Sequence, residues 1–159
     1  MMWFEKLDVA MEHFTRHGGF LTAKDSRGRV NTMTLAWGFA GYLWNAPQFI
    51  AAVRPQRFTY EILKNADSFT ISVPFGNLLE ELIICGKQSG RDIDKSRVVT
   101  FADARAVASP VVAGCDFYYE CKINYVDALN AEKIPKIVSQ KHYNGDFHEF
   151  FMGEIVAAY

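Results

Sequence analysis

The chain has 159 residues, half of them hydrophobic, 14% aromatic and 22% charged. That composition supports one compact domain with a ring-rich core and excludes the disordered, collagenous and membrane-spanning classes. With 17 Lys and Arg against 18 Asp and Glu, the overall field gives no reason to expect nucleic acid or an anionic membrane as partner, so any anion site must be local.

In chain order, Trp3, Leu7, Ala10, Met11 and Phe14 recur at helical spacing before Gly18-Gly19. They predict one amphipathic helix, unlike a signal peptide because Glu5 and Asp8 interrupt it. GFLTAKD and RVNTMTLAWG flank Ser26-Arg27-Gly28 and predict a hairpin. A Gly, Trp and Pro-containing link follows, then QFIAAVRP as a buried strand ended by Pro55 and a helix starting near Thr59 with Ile62 and Ala66 on its face. SFTISVP predicts a strand halted by Pro74. Asn77 with Glu80 suggests a capping arrangement for NLLEELIICG, whose end Gly86 marks. KQSGRDIDKSR reads as a loop. From Thr100 the pattern is extended: VTFADARA, CDFYYECKINYVDAL, a loop around Asn144-Gly145, and HEFFMGEIVAAY. Many strands with few helices, out of regular alternation, predict an antiparallel α+β barrel.

Motif by motif, the sequence lacks the GxGxxG and GxSxG signatures. Cys85, Cys115 and Cys121 are an odd number without CxxC spacing, so buried or reduced thiols and a reducing cytoplasm are the expectation. His13 and His17 share a helix face, but no third ligand is identifiable, so no metal is expected; basic groups at a helix C-terminus are the plainer reading.

Two segments carry more chemistry. Arg54 and Arg57 bracket Pro55 where a strand gives way to a helix, and with Thr59 they suggest a phosphate cup at a helix N-terminus. Surface arginines at a helix start are the alternative. Cations there oppose the helix dipole and call for a compensating anion. Asn31, Thr32 and Thr34 lie in an otherwise apolar run that ends in Trp37. A polar strand edge beside an aromatic suits a heteroaromatic ring with in-plane donors and acceptors, although outward-facing polar residues on a half-exposed strand would look the same.

The runs NTMTLAWG, VRPQRFTYEIL, FTISVP, CGKQSGRDIDK and HEFFMGEI, in this order and spanning roughly Gly19 to Ile155, resemble the flavin-reductase-like FMN-binding split-barrel family, which includes flavoredoxin. The resemblance implies a predominantly β, α+β split barrel of six antiparallel Greek-key strands with a few flanking helices, and a homodimer that holds FMN near the subunit interface. It implies FMN-binding roles for Asn31, Thr32, Met33, Thr34 and Trp37, for Arg54, Arg57, Thr59 and Tyr60, and for Ser89, Gly90, Arg91, Asp92 and Lys95. His148 falls in the position of a family histidine, although Phe147 is inserted before it; it is the candidate catalytic residue, a donor of a proton or hydrogen bond to the flavin, with a passive pocket wall as the alternative. The implied activity is passage of electrons from a reduced donor, a nicotinamide or a redox protein, through FMN to flavin, metal or protein; a flavoredoxin-like carrier or a non-catalytic flavin-binding protein is the alternative.

Overall fold

A computed structural model describes residues 2–159. Helix α1 (Leu7–Arg16) leads into a hairpin of β1 (Gly19–Lys24) and β2 (Val30–Leu35). Next come β3 (Gly38–Leu43), β4 (Ala46–Val53), α2 (Phe58–Leu63), β5 (Ser68–Val73) and α3 (Leu79–Lys87). The two-residue strands β6 (Phe101–Ala102) and β7 (Val111–Val112) pair as a ribbon, before β8 (Phe117–Ala128), α4 (Lys136–His142) and β9 (Glu149–Ala158).

The main sheet is antiparallel, seven-stranded and ordered β2-β1-β5-β8-β9-β4-β3. Its edge strands β2 and β3 are consecutive in the chain, joined only by Ala36 and Trp37. Two residues cannot span a flat seven-stranded sheet, whose neighbouring strands are spaced by about 4.8 Å. The sheet must therefore roll up until its edges meet. The Ala52 N–H donates to the Trp37 carbonyl at 3.0 Å, which carries the β3–β4 ladder one residue back toward β2. No strand pairing closes β2 onto β3, and the open seam makes this a split barrel.

Inside the roll, Phe49, Phe69, Phe117, Tyr119 and Phe151 are completely buried. β5 is buried on both faces: Phe69, Ile71 and Val73 face this core, while Ser68, Thr70 and Ser72 lie on the other side of the strand. There Thr70 Oγ1 donates to the Pro110 carbonyl at 2.6 Å and Ser72 Oγ accepts from the Val112 N–H at 3.1 Å. Those bonds replace the water that strand hydroxyls would otherwise need. Phe20, on the outer face of β1, packs in a second cluster with Leu82 and Cys85 of α3 and with Val99 and Val112. That cluster fixes α3 beside β2.

Several expectations change. The Gly, Trp and Pro-containing link is strand β3 plus a tight turn, in which Trp44 and Asn45 both have positive φ, 56° and 60°. A two-residue turn with both residues left-handed matches the strand twist and closes the β3–β4 hairpin. Asn77 does not cap α3. Its Nδ2 donates to the Gly114 carbonyl at 2.8 Å, and Leu78 (φ 51°) holds the cap position without a side-chain bond. VTFADARA contributes only Phe101–Ala102 as strand, because Glu120 draws the Arg105 and Ala106 N–H groups into bonds of 2.7 and 2.6 Å. Helix α4, unforeseen, buries none of its residues, so no apolar stripe announces it. Among the described residues no helix is long and apolar enough to cross a membrane.

Candidate functional site

The free edge of β2 faces the open seam, and two adjoining clefts lie along it. Met33 and Arg57 line both. An edge strand leaves alternate N–H and C=O groups unpaired by the sheet, so β2 offers in-plane donors and acceptors to whatever lies there.

The first cleft is bounded by Asn31 and Thr32, by Gln56 to Thr59 at the start of α2, and by Lys87 to Arg91 after α3, with Cys85 and Lys95 also in its lining. Asn31, only 4% exposed, donates through Nδ2 to Thr59 Oγ1 at 2.8 Å and ties β2 to α2. Burial of Asn31 overturns the solvent-facing reading of that residue. Thr32 Oγ1 accepts from Thr22 Oγ1 at 2.9 Å, so its hydroxyl is already engaged with β1. At Gly90 an added Cβ would lie 2.7 Å from Phe58 Cδ1 and 2.8 Å from Asn31 Cγ, closer still to Asn31 Oδ1. Only glycine lets that loop approach β2. Arg91 closes the rim, donating to the Gln56 carbonyl at 3.1 Å, pairing with Glu61 and lying over the Phe58 ring at 5.2 Å.

Besides exposed Lys87, two cations line this cleft without a carboxylate partner among the described residues. Arg57 Nη2 donates to the Gly86 carbonyl at 3.0 Å and Lys95 Nζ to the Cys85 carbonyl at 3.0 Å. Lys95 is 4% exposed. Burial lowers the pKa of each from its ordinary value; Arg54 adds to the effect on Arg57, and Arg57 to that on Lys95. Their acceptors are carbonyls at the end of α3, where a helix carries roughly −0.5 charge. Half a negative charge cannot neutralise two positive ones, and the cleft is built to take an anion. Burial likewise pushes the Cys85 thiol up, keeping it protonated.

The second cleft is apolar and aromatic. Thr34, Leu35, Ala36 and Trp37 line it together with Ala52 and Arg54 at the end of β4, Gly86, which packs against Thr34, and His148. Thr34 Oγ1 donates to the Leu82 carbonyl, which fastens β2 to α3. Trp37 remains 42% exposed, its ring 4.9 Å from His148 and 5.3 Å from His142. His148 is buried and shares a 2.9 Å hydrogen bond through Nδ1 with the Tyr143 hydroxyl. Burial first, and then the Arg54 charge, push its pKa down to about 4. At neutral pH the imidazole is uncharged and offers a hydrogen bond rather than an acidic proton. Phe147, the inserted residue, stacks on Tyr143 at 4.8 Å.

Both arginines line the second cleft, but only Arg57 also reaches the first. Arg57 stands with Thr59, Ser89, Gly90 and Lys95, whereas Arg54 is bound to Asp146, donates to the His142 carbonyl at 2.8 Å and lies over Tyr143 at 5.5 Å. Two of the expected residues line neither cleft. The Tyr60 hydroxyl donates to Glu149 at 2.7 Å, and Asp92 is exposed, its N–H bonded to the Ser89 carbonyl at 3.0 Å. Sequence reasoning passed over Gln56, Phe58, Cys85, Tyr143 and Asp146. Gln56 between the two arginines and Tyr143 in YNGDFH were the available signals.

Solved structures of similar fold include an FMN-binding protein from Thermus thermophilus, 25% identical with a TM-score of 0.68, aligned over 89% of this chain and 68% of the other. A flavoredoxin from Methanosarcina acetivorans is 26% identical with a TM-score of 0.70, over 89% and 66%. The Streptomyces globisporus NADH:FAD oxidoreductase SgcE6, at 18% identity and a TM-score of 0.66 over 89% and 68%, shares the fold. The chain spans about two thirds of the length of these relatives. Residues 11–159 match the family described as the flavin reductase like domain. With that match over nearly its whole length, and with a split barrel common to these neighbours, the chain belongs to the flavin reductase-like family.

Proposed function

We propose that this protein binds FMN along the β2 edge and is an oxidoreductase. The observation that carries the reading is the pair of acid-free cations, half-buried Arg57 and buried Lys95, at one end of a continuous cleft whose other end holds Trp37 and His148. A phosphate fits the first cleft, where it would meet Arg57, Lys95, Thr59 and the Ser89–Arg91 loop. A flat ring fits the second, edge-on to β2 beside Trp37 and His148, whose own rings lie 4.9 Å apart. Family membership and the 25% identical FMN-binding protein support the same cofactor.

When bound, FMN supplies the redox chemistry, taking electrons from a reduced donor, for which we favour a nicotinamide dinucleotide, and releasing them to flavin, metal or protein. The chain's own residues bind and orient. The β2 edge supplies in-plane hydrogen bonds, and uncharged His148 offers a hydrogen bond to the ring region without adding charge there. Transfer from a reduced partner protein is the second reading, favoured by the 26% identical flavoredoxin and by the exposed Trp37.

Anaerobic addition of NADH or NADPH to the FMN-loaded protein tests this directly: bleaching within a catalytic turnover supports the reductase, and bleaching only by a reduced redox protein supports the carrier. FMN should bind more tightly than FAD, because the cup suits a terminal phosphate, whereas an adenylate must leave it. Equal affinities in a direct titration would overturn the placement.

A homodimer completes the proposal. Phe39, Tyr42 and Leu43 on β3, Trp44 in its turn, and Tyr125 and Val126 on β8 are all exposed, with Trp44 6.0 Å from Tyr125. An apolar surface of this kind on an edge strand calls for a cover. Sedimentation at micromolar concentration should show two chains, and a flavin-loaded monomer would refute it. Three unpaired cysteines favour a reducing cytoplasm as the location.

A further inference from the structure

Beyond the paired clefts, the β2 edge opens onto a third hollow that the cofactor reading leaves unused. Thr34 and Gly86, which line the ring cleft, also line this hollow, so the two are continuous. Its floor and wall come from α3, with Leu79, Leu82 and Ile83, and its far rim from the end of α1, with Arg16 and His17; Lys87 closes the near side. A neighbouring hollow, also lined by Arg16 and His17, returns to the ring cleft at Ala36 and Trp37. No carboxylate lines either hollow. Ile83 is 55% exposed there, an apolar shelf rimmed by Arg16, His17 and Lys87.

An apolar shelf bordered by Arg, His and Lys is complementary to a purine carrying phosphates. The shelf lies next to the position where a second substrate must meet the ring. Resting on the proposed reductase function, we infer that this groove seats the phosphorylated adenine-nucleotide tail of the reduced nicotinamide donor, with Arg16 and His17 taking phosphate and Lys87 shared with the cofactor cleft. Arg16 is paired at present only with Glu12, at 2.7 Å. Both side chains are more than half exposed, and such a pair contributes little, so a phosphate can displace it.

The test uses the FMN-saturated protein and the double variant Arg16→Gln/His17→Gln, neither residue lining the cofactor cleft. Calorimetric titration with 2′,5′-adenosine bisphosphate and with 5′-AMP reads the groove without any turnover. Binding to the native chain, weakened roughly tenfold or more in the variant and recovered in Arg16→Lys/His17→Gln, supports the assignment. In steady state the same variant should raise KM for NADH or NADPH by a similar factor, while kcat and the rate with tail-less 1-benzyl-1,4-dihydronicotinamide hold. Absence of nucleotide binding to the native protein, or equal binding by the variant, overturns the inference. So does an equal loss with tailed and tail-less donors. If no nicotinamide donor reduces the flavin, the reductase reading falls by itself, and the nucleotide titration still decides whether the groove is a nucleotide site.

Discussion

The wall formed by β2, α2 and the Ser89–Arg91 loop is knitted by side chains that are themselves buried, whereas the wall formed by the β8–β9 connector hangs on groups near the surface. In the first, Asn31 and Thr59 are almost fully enclosed and bonded to each other, and Gly90 fits against Asn31 and Phe58 with no room for another atom. In the second, α4 buries nothing, Ile137 and Val138 face solvent, and the connector is fastened through Arg54 to Asp146 and to the His142 carbonyl. A preformed wall suits the task of holding an anion in fixed geometry. A loosely fastened wall that carries His142, Tyr143 and His148 beside Trp37 is the one able to yield when a second molecule must reach the ring.

The comparison is broken most severely at Gly90. Gly90→Val puts a branched side chain where even a Cβ collides with Phe58 and Asn31. Overpacking of this sort costs ~3 kcal/mol, so FMN affinity should fall roughly a hundredfold in a fluorescence titration while the barrel still folds. A variant that binds FMN normally would show that the first wall is pliable after all.

The second effect belongs to His148. Its folded pKa, about 4, lies below the ordinary 6.5, so between these values the unfolded chain binds the extra proton. Stability is then full above pH 6.5, declines as pH falls from 6.5 to 4, and levels off below as far as this group is concerned. At about 1.4 kcal/mol per pH unit the loss has a ceiling of roughly 3 kcal/mol. His148→Gln keeps a hydrogen-bonding side chain and should flatten that decline in urea unfolding series. An unchanged slope would mean that another group carries it.

Lys95→Met comes next and should act in opposite directions on two measurements. The ammonium is buried without a carboxylate, so its removal should raise the melting temperature of the FMN-free protein. The same change removes a charged partner of the phosphate, worth ~1.5–3 kcal/mol, and FMN affinity should fall ten- to hundredfold. Because Lys95 lies with Arg57 in the first cleft, the flavin midpoint potential should stay put in spectroelectrochemistry. A shifted potential with intact affinity would move Lys95 to the ring.

Much of the barrel was legible because its strands are short, β-branched and aromatic, and turn residues separate them: GFLTAK, SFTISV and EFFMGEIVAA declare themselves. β3 escaped because Gly38, Ala40 and Gly41 lack that signature, and its turn, Trp44-Asn45, carries only one residue that favours positive φ. At the site, Asn31, Arg57 and Thr59 could be marked by residue type, and the Ser89–Arg91 run only through the family resemblance, since by itself it reads as a polar loop. The parting of Arg54 from Arg57 could be marked by neither. The partner that claims Arg54 is Asp146, 92 residues onward, and only the β4–β9 pairing brings the two together. Tyr60 is a similar case, since one turn of helix aims its hydroxyl at Glu149 rather than at the clefts.

Asp146→Asn should have the smallest effect and is the sharpest check on the second wall. The carboxylate accepts from the Asn144 N–H at 3.0 Å and from Gln56 at 3.0 Å, and it pairs with Arg54; these bonds hold its pKa well below the usual carboxylate range, the Asn144 contribution being largest. Its stabilising charge is therefore present above pH 4 and lost only at more acidic values, below the His148 window, so the two contributions separate on one pH axis. Asparagine keeps one acceptor oxygen, enough for the Asn144 N–H, but turns an NH2 toward Gln56 and releases the charge that holds Arg54. Partly exposed pairs of this kind are worth little, so FMN affinity should change by no more than about two- or threefold. The connector should nevertheless loosen. Trp37, ringed by His142, Tyr143 and His148, reports on it: its fluorescence should become easier to quench with iodide while the Asn31–Thr59 side keeps its slow hydrogen exchange. Equal loosening on both sides, or an affinity loss as large as that of Lys95→Met, would show that the two walls form one cooperative unit.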